Sequence, residues 1–197
     1  KPFIPRDHSG NADPFRGWKM SAWEGGSRVP FIARWPGKIP AGWESDQLLS
    51  TMHLLPTFAA IAGAKLPDVT IDGQDASRFL TGKTETSPRE DYFYYSGCLL
   101  TGVRSGRWKL VLPRTKNPPG WGRMIETVPD TMLFNLEEDP GETTNVAAMN
   151  RDVVTSLMKR IKSARQELGD IEQAGSGARF FEDGPRRLQN PVKKKGK

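Results

Sequence analysis

Between Asn150 and Gly169, the residues Val153, Val154, Leu157, Met158, Ile161, Ala164 and Leu168 recur at helical spacing. They form one stripe of a 3.6-residue period. The segment is therefore predicted as a helix over 151–168, with Asn150 as its N-cap and Gly169 as its stop. A helix with a single apolar stripe must bury it against another element. The apolar runs upstream are too short for helices and read as strands: Tyr92 to Tyr95, Leu99 to Arg104, Arg107 to Leu112, and Met132 to Leu136. Ser105-Gly106 turns the second run into the third as a hairpin, and Asp139-Pro140-Gly141-Glu142 is a further turn. The expectation for residues 88–170 is a small antiparallel sheet with one helix packed on it.

The first half is organised differently. Residues 1–28 show no sustained period and read as an ordered loop, because Phe15, Trp18 and Trp23 need somewhere to pack. Val29 to Trp35 is an apolar run stopped by Pro36-Gly37, which fits a buried strand. Leu54, Leu55, Phe58, Ile61 and Ala62 share one helical stripe. Pro56 is tolerated only in a first turn, so this helix is predicted to start near His53 and to close at Gly63. Residues 171–197 have no period and are expected to be a mobile, basic tail.

Composition narrows the class. With 36% hydrophobic and 26% charged residues, the chain has the make-up of a globular, loop-rich protein rather than a disordered one. No apolar run approaches the roughly 20 residues of a membrane span. The opening Lys1-Pro2-Phe3-Ile4-Pro5 carries no signal pattern and reads as the middle of a longer polypeptide. The formal charge is +6, and Arg186, Arg187, Lys193, Lys194, Lys195 and Lys197 hold six of the 29 basic residues. A solvated tail accounts for that excess, and no nucleic-acid motif accompanies it. The single cysteine, Cys98, excludes an internal disulfide framework and a multi-cysteine zinc site.

Three ordered segments resemble a known family. The first is Arg16-Gly17-Trp18-Lys19-Met20-Ser21-Ala22-Trp23-Glu24-Gly25-Gly26-Ser27-Arg28-Val29-Pro30, followed by Trp35-Pro36-Gly37. The second is Leu54-Leu55-Pro56-Thr57-Phe58-Ala59-Ala60-Ile61-Ala62-Gly63, with Ile71-Asp72-Gly73 after it. The third is Val103-Arg104-Ser105-Gly106-Arg107-Trp108-Lys109-Leu110, with Leu133-Phe134-Asn135-Leu136-Glu137-Glu138-Asp139-Pro140-Gly141-Glu142. Over roughly residues 10–168 this set resembles the C-terminal part of the type I sulfatases, the formylglycine-dependent arylsulfatase family.

The resemblance implies an α/β fold of the alkaline-phosphatase-like type. Residues 1–80 would be the end of its large mixed-sheet domain, and residues 88–170 its small antiparallel-sheet-plus-helix domain. It also implies hydrolysis of sulfate monoesters by a hydrated formylglycine beside a divalent cation, usually calcium (Ca2+). No Cys/Ser-x-Pro/Ala-x-Arg motif is present: Cys98 is followed by Leu-Leu-Thr-Gly, and Ser87 by Pro-Arg-Glu. The resemblance implies that nucleophile and metal ligands lie upstream, in a missing N-terminal half, and this part alone is expected to be inactive.

Lys19 matches the family lysine that contacts the substrate sulfate, where an ammonium offsets charge on the transferring group. His8, in the same approach, is a candidate proton donor to the leaving alkoxide, with a surface-loop histidine as the plainer reading. His53 stands where the family usually has Asp; it is expected to cap poorly, at a cost of about 0.5–1 kcal/mol, and to be structural. Glu24 is expected to shape the loop holding Lys19 by anchoring Arg28 or a backbone amide. Trp18, Trp23, Trp108 and Trp121 are candidates either for core packing or for stacking on a sugar. The implied partner is a sulfated small molecule or sulfated glycan, and the implied location periplasmic or secreted. The alternatives are a phosphoesterase or phosphonate-ester hydrolase of the same superfamily, or a non-catalytic anion- or glycan-binding module.

Overall fold

The structure is a computed structural model that describes residues 10–19, 21–115, 126–171 and 173–178. In chain order the helices are α1 (Glu24–Ser27), α2 (Leu54–Ala62), α3 (Ser77–Leu80) and α4 (Arg151–Glu167), with a 3-10 turn at Thr51–His53 before α2. The strands are β1 (Asp91–Ser96), β2 (Leu99–Ser105), β3 (Trp108–Val111), β4 (Met132–Asn135), β5 (Gly169–Asp170) and β6 (Gln173–Ala174). The first four form one antiparallel sheet in the order β1-β2-β3-β4. Its tight connections run through Gly97 and Gly106, at φ of 60° and 54°. That left-handed conformation strains most residues with a Cβ.

Side chains alternate across the sheet, and both faces are covered. On one face, Leu100, Val103, Leu110, Leu112 and Leu133 pack against Leu157, Ile161 and Ala164 of α4. The predicted stripe of α4 is thus the surface that meets the sheet. Trp108 packs on this same face. Asn150 does occupy the N-cap position, but its side chain gives no capping bond; its Nδ2 donates instead to the Val146 carbonyl. The far end of α4 is tied down by Asp170, which accepts from the Leu100 amide at 3.0 Å and from Arg165 Nε at 2.8 Å. The β5–β6 hairpin carries regular structure past position 170, into a stretch expected to be mobile. The basic residues at its end lie outside the described residues.

The opposite face is covered by the segment before the sheet. Trp23, 1% exposed, packs with Val111, Val128, Phe134 and Leu136. Its ring meets that of Phe134 edge-on, at 6.0 Å and 76°.

Residues 29–69 depart from expectation. Val29 to Trp35 is not a strand, and Ile32 in it is 91% exposed. Helix α2 forms where predicted, and Gly63 ends it at φ 64°. Its apolar stripe, however, points outward: Leu55, Phe58 and Ile61 are exposed, while Pro56, Thr57 and Ala59 are buried. Apolar patterning dictates that a face be covered, but not that its cover lie within the same 197 residues. The buried side of α2 is held locally. Thr57 Oγ1 accepts from the Ala76 amide at 2.9 Å. A Cβ at Gly73 would lie 1.9 Å from the Met52 carbonyl oxygen, which gives Ile71-Asp72-Gly73 a steric reason.

Candidate functional site

Lys19 lies in a loop closed on itself. The Gly25 amide donates to the Arg16 carbonyl at 2.8 Å, and the Ser21 amide donates to the Trp18 carbonyl at 2.9 Å. The Trp18 amide in turn donates to Ser21 Oγ at 3.2 Å. A Cβ at Gly25 would fall 2.6 Å from the Arg16 carbonyl oxygen, and one at Gly26 would fall 2.5 Å from that of Ser21. Both glycines are required by close approach rather than by backbone angle. Within this closed loop Lys19 is exposed, and it makes no hydrogen bond or ion pair among the described residues.

The loop is fixed to the sheet through a buried charge network. Glu24, 1% exposed, presents Oε1 to Lys109 Nζ at 2.9 Å and to the Tyr94 hydroxyl at 2.5 Å. Its Oε2 accepts from Arg28 Nε at 2.7 Å and from Arg104 Nη1 at 3.2 Å. Its own amide donates to Glu142 Oε2 at 2.7 Å. Lys109 Nζ also lies 2.7 Å from Glu142 Oε1, an ion pair whose angles are poor for a hydrogen bond, and 4.2 Å from the centre of the Tyr94 ring. Strand register explains the assembly, because Arg104 pairs with Lys109, and Lys109 with Phe134, on the face that Trp23 covers.

The electrostatics follow from this packing. Burial alone would raise the Glu24 carboxyl. The charge of Lys109 and the hydrogen bonds from Tyr94, Lys109 and Arg28 outweigh it and hold the pKa at about 2. Glu142 is raised, by burial first, although Lys109 and the Glu24 amide oppose that. Tyr94 is pushed well up by burial and by the adjacent Glu24. Two carboxylates, one lysine and two arginines thus share a site that a bare charge would find costly.

Glu142 holds both stems of the loop. Its side chain takes the Glu24 amide, and its carbonyl accepts from Arg16 Nη1 at 3.1 Å. The residue sits at φ 53°, at the end of a turn in which Asp139 Oδ2 accepts from the Thr143 and Thr144 amides at 2.8 Å each. The Arg16 guanidinium stacks 3.6 Å over the Trp23 ring. Arg16 and Trp23 both reach Glu126, at 3.0 and 2.5 Å.

The fold gives a definite place to those residues singled out by the sequence that fall among the described ones. Lys19 is presented openly. Glu24 anchors Arg28 as expected, but also Lys109, Arg104 and Tyr94, partners that no local pattern connects to it. Trp23 is core, Trp108 is half-buried under α4, and Trp18 is 46% exposed. His8 and Trp121 lie outside the described residues. His53 is buried and structural. Its Nδ1 lies 3.0 Å from the Gln74 carbonyl oxygen and 2.9 Å from the Gln74 amide nitrogen, and its Nε2 accepts from Arg89 Nε at 3.1 Å. Burial, and secondarily the charge of Arg89, lower its pKa. Cys98 is exposed in the β1–β2 turn, and Ser87 is buried, donating to the Leu48 carbonyl. Among the described residues no group of three or more His, Cys, Asp or Glu is placed to hold a metal. The two buried carboxylates are already matched to Lys109, Arg28 and Arg104, so they do not fit a calcium site. No helix among them is long and apolar enough to cross a membrane.

Residues 17–167 match the family profile described as N-sulphoglucosamine sulphohydrolase, C-terminal. The chain is 36% identical to arylsulfatase A of Bos taurus, over 79% of its own length and 33% of the relative's. It is 32% identical to steryl-sulfatase of Homo sapiens, over 80% and 30%. It therefore spans about a third of the length of the curated relatives it matches. Among solved structures, it superposes on a Bacteroides thetaiotaomicron protein from a locus for metabolism of multiple glycosaminoglycans, with TM-score 0.64 and 33% identity over 77% of this chain and 32% of that one. The PsFucS1 sulfatase of Pseudoalteromonas sp. matches with TM-score 0.65 and 27% identity, over 76% and 32%. Ps i-CgsB, solved in complex with k-i-k-neocarrahexaose, matches with TM-score 0.62 and 27% identity, over 80% and 33%.

Proposed function

The chain belongs to the sulfatase family, to whose C-terminal part it corresponds, and we propose that it serves as the C-terminal portion of an enzyme that hydrolyses sulfate monoesters. The observation that carries this is the exposed Lys19 in a loop whose flanks are closed by Gly25 and Gly26 and whose base is buried on the sheet. A fixed ammonium, held by a rigid frame, offsets negative charge on a tetrahedral oxyanion without having to reorganise during reaction. Nucleophile and cation would come from the upstream half, with formylglycine and calcium as the family's usual groups, so residues 1–197 alone would not turn over. Residues 1–80 would complete the large domain, and residues 88–170 would form the small one.

The substrate class is a sulfated sugar or other sulfated small molecule. Ps i-CgsB was solved with a carrageenan-type oligosaccharide, and the half-buried to exposed Trp18 beside Lys19 offers an aromatic face. Export to the periplasm or beyond belongs to the same proposal. The test is p-nitrophenyl sulfate hydrolysis by the full-length protein with Lys19→Ala. Loss of one such charge contact is expected to lower kcat/KM by about 10²–10³-fold, with an unchanged melt because Lys19 holds nothing else in place. Full activity in the variant would remove Lys19 from the reaction.

A further inference from the structure

The geometry points to Glu142 as a positioning residue for Lys19, acting from the same face of the sheet through the two stems of the lysine loop. This rests on the sulfatase reading and assigns a role to a side chain more than a hundred positions further along the chain. Glu142 is 0% exposed, so it touches no substrate. Its Oε2 takes the Glu24 amide at 2.7 Å, five residues after Lys19, and its carbonyl takes Arg16 Nη1 at 3.1 Å, three residues before it.

Lys109 is the shared counter-charge, 2.7 Å from Glu142 and 2.9 Å from Glu24. The stems are joined directly, because the Gly25 amide donates to the Arg16 carbonyl at 2.8 Å and the backbone at Gly25 and Gly26 packs too close to the Arg16, Gly17, Trp18 and Ser21 carbonyl oxygens to leave room even for a Cβ. A shift at Glu24 must therefore travel to Lys19. Displacements of about 1 Å at a positioning group are enough to cost orders of magnitude in rate. All three groups on this path, Glu24, Lys109 and Glu142, lie within the residues 17–167 that match the family profile.

The experiment is a double-mutant cycle in the full-length protein with p-nitrophenyl sulfate. Glu142→Gln keeps the acceptor for the Glu24 amide and removes the charge facing Lys109. It is expected to lower kcat/KM about tenfold in the wild-type background and less than about twofold in Lys19→Ala, since a positioning effect vanishes once the group being positioned is gone. Tyr94→Phe removes one hydrogen bond to Glu24 and keeps the ring, and should show the same coupling at about threefold if Glu142→Gln does not fold. Equal losses in both backgrounds for the variants that fold would overturn the positioning role while leaving Lys19 in place. A Lys19→Ala variant with wild-type kcat/KM would overturn both.

Discussion

The two faces of the central sheet and the surface of residues 29–69 are built by the same rule and end differently. Around β1–β4 the apolar stripes find partners: α4 on one side, Trp23 and the lysine loop on the other. Along Val29 to Trp35 and α2 the stripes are equally apolar, yet Ile32, Leu55 and Phe58 remain exposed. The difference is one of partners rather than of patterning. The closed region contains its own cover; the open region leaves several large apolar side chains exposed, the kind of surface that marks contact with more protein. In the sulfate-ester reading proposed above, the closed region holds the frame of Lys19.

The largest effect expected from disturbing the closed region is at Lys109. Lys109→Met keeps the stem and deletes the charge between Glu24 and Glu142, which leaves two buried carboxylates facing each other. A loss of about 3–5 kcal/mol is expected in chemical denaturation. A loss below about 1 kcal/mol would mean that water reaches the network and that this region is less closed than its burial indicates.

Acid should act on the same place with a definite sign. The folded Glu24 carboxyl sits at about 2, against 4.5 for a free one. Its contribution is present above pH 4.5 and is lost as pH falls from 4.5 towards 2, amounting to about 3 kcal/mol. Glu142 is raised, so its ionised form is disfavoured in the fold, and protonating it as pH drops relieves part of that cost. The expectation is a stability curve that falls below pH 4.5 in the wild type and is flatter in Glu24→Gln. Identical acid limbs would contradict the charge assignment.

A matched pair of truncations sharpens the contrast between regions. Ile161, 0% exposed under the sheet, should cost about 2–5 kcal/mol on conversion to Ala. Phe58, 59% exposed on α2, should cost no more than about 0.5 kcal/mol in the 197-residue chain. In the full-length protein Phe58→Ala should rise to about 3 kcal/mol if upstream residues cover α2. Equal small costs in both contexts would leave the open face without a partner.

How much of the molecule is legible in its sequence follows the same division. The α4 stripe, the β2–β3 hairpin and the Gly63 stop can be read locally, because period and turn chemistry are local properties. Val29 to Trp35 misleads because an apolar run specifies burial, whereas strand formation requires a neighbour for its backbone. Glu24 and Lys19 stand out through the glycines beside them. Lys109 does not: a lysine in a strand normally marks the solvent face, and only its pairing with Phe134 and alternation with Val111 reveal that its face is covered. Glu142 reads as part of a turn, since nothing near it in sequence indicates that its side chain is aimed at residue 24.

His53 joins the open region to the closed one and gives the smallest prediction. It lies just before α2, bonds to Gln74 in the loop behind it, and meets Arg89 at the entrance to β1. Burial and Arg89 lower its pKa from 6.5. A group depressed in the fold favours the neutral ring, so its contribution is complete above pH 6.5 and erodes as pH falls below that value. A proton on Nε2 would also face the Arg89 guanidinium instead of accepting from it. The effect should be local: amide exchange at Gln74 and Ala76 speeds up below pH 6.5 relative to intrinsic rates, while amides in β3 and α4 do not change. In His53→Gln, which has no titrating ring, the pH dependence at Gln74 should disappear. If β3 accelerated in parallel with Gln74, α2 and the sheet would open as a single unit, and the boundary between the two regions would have to be redrawn.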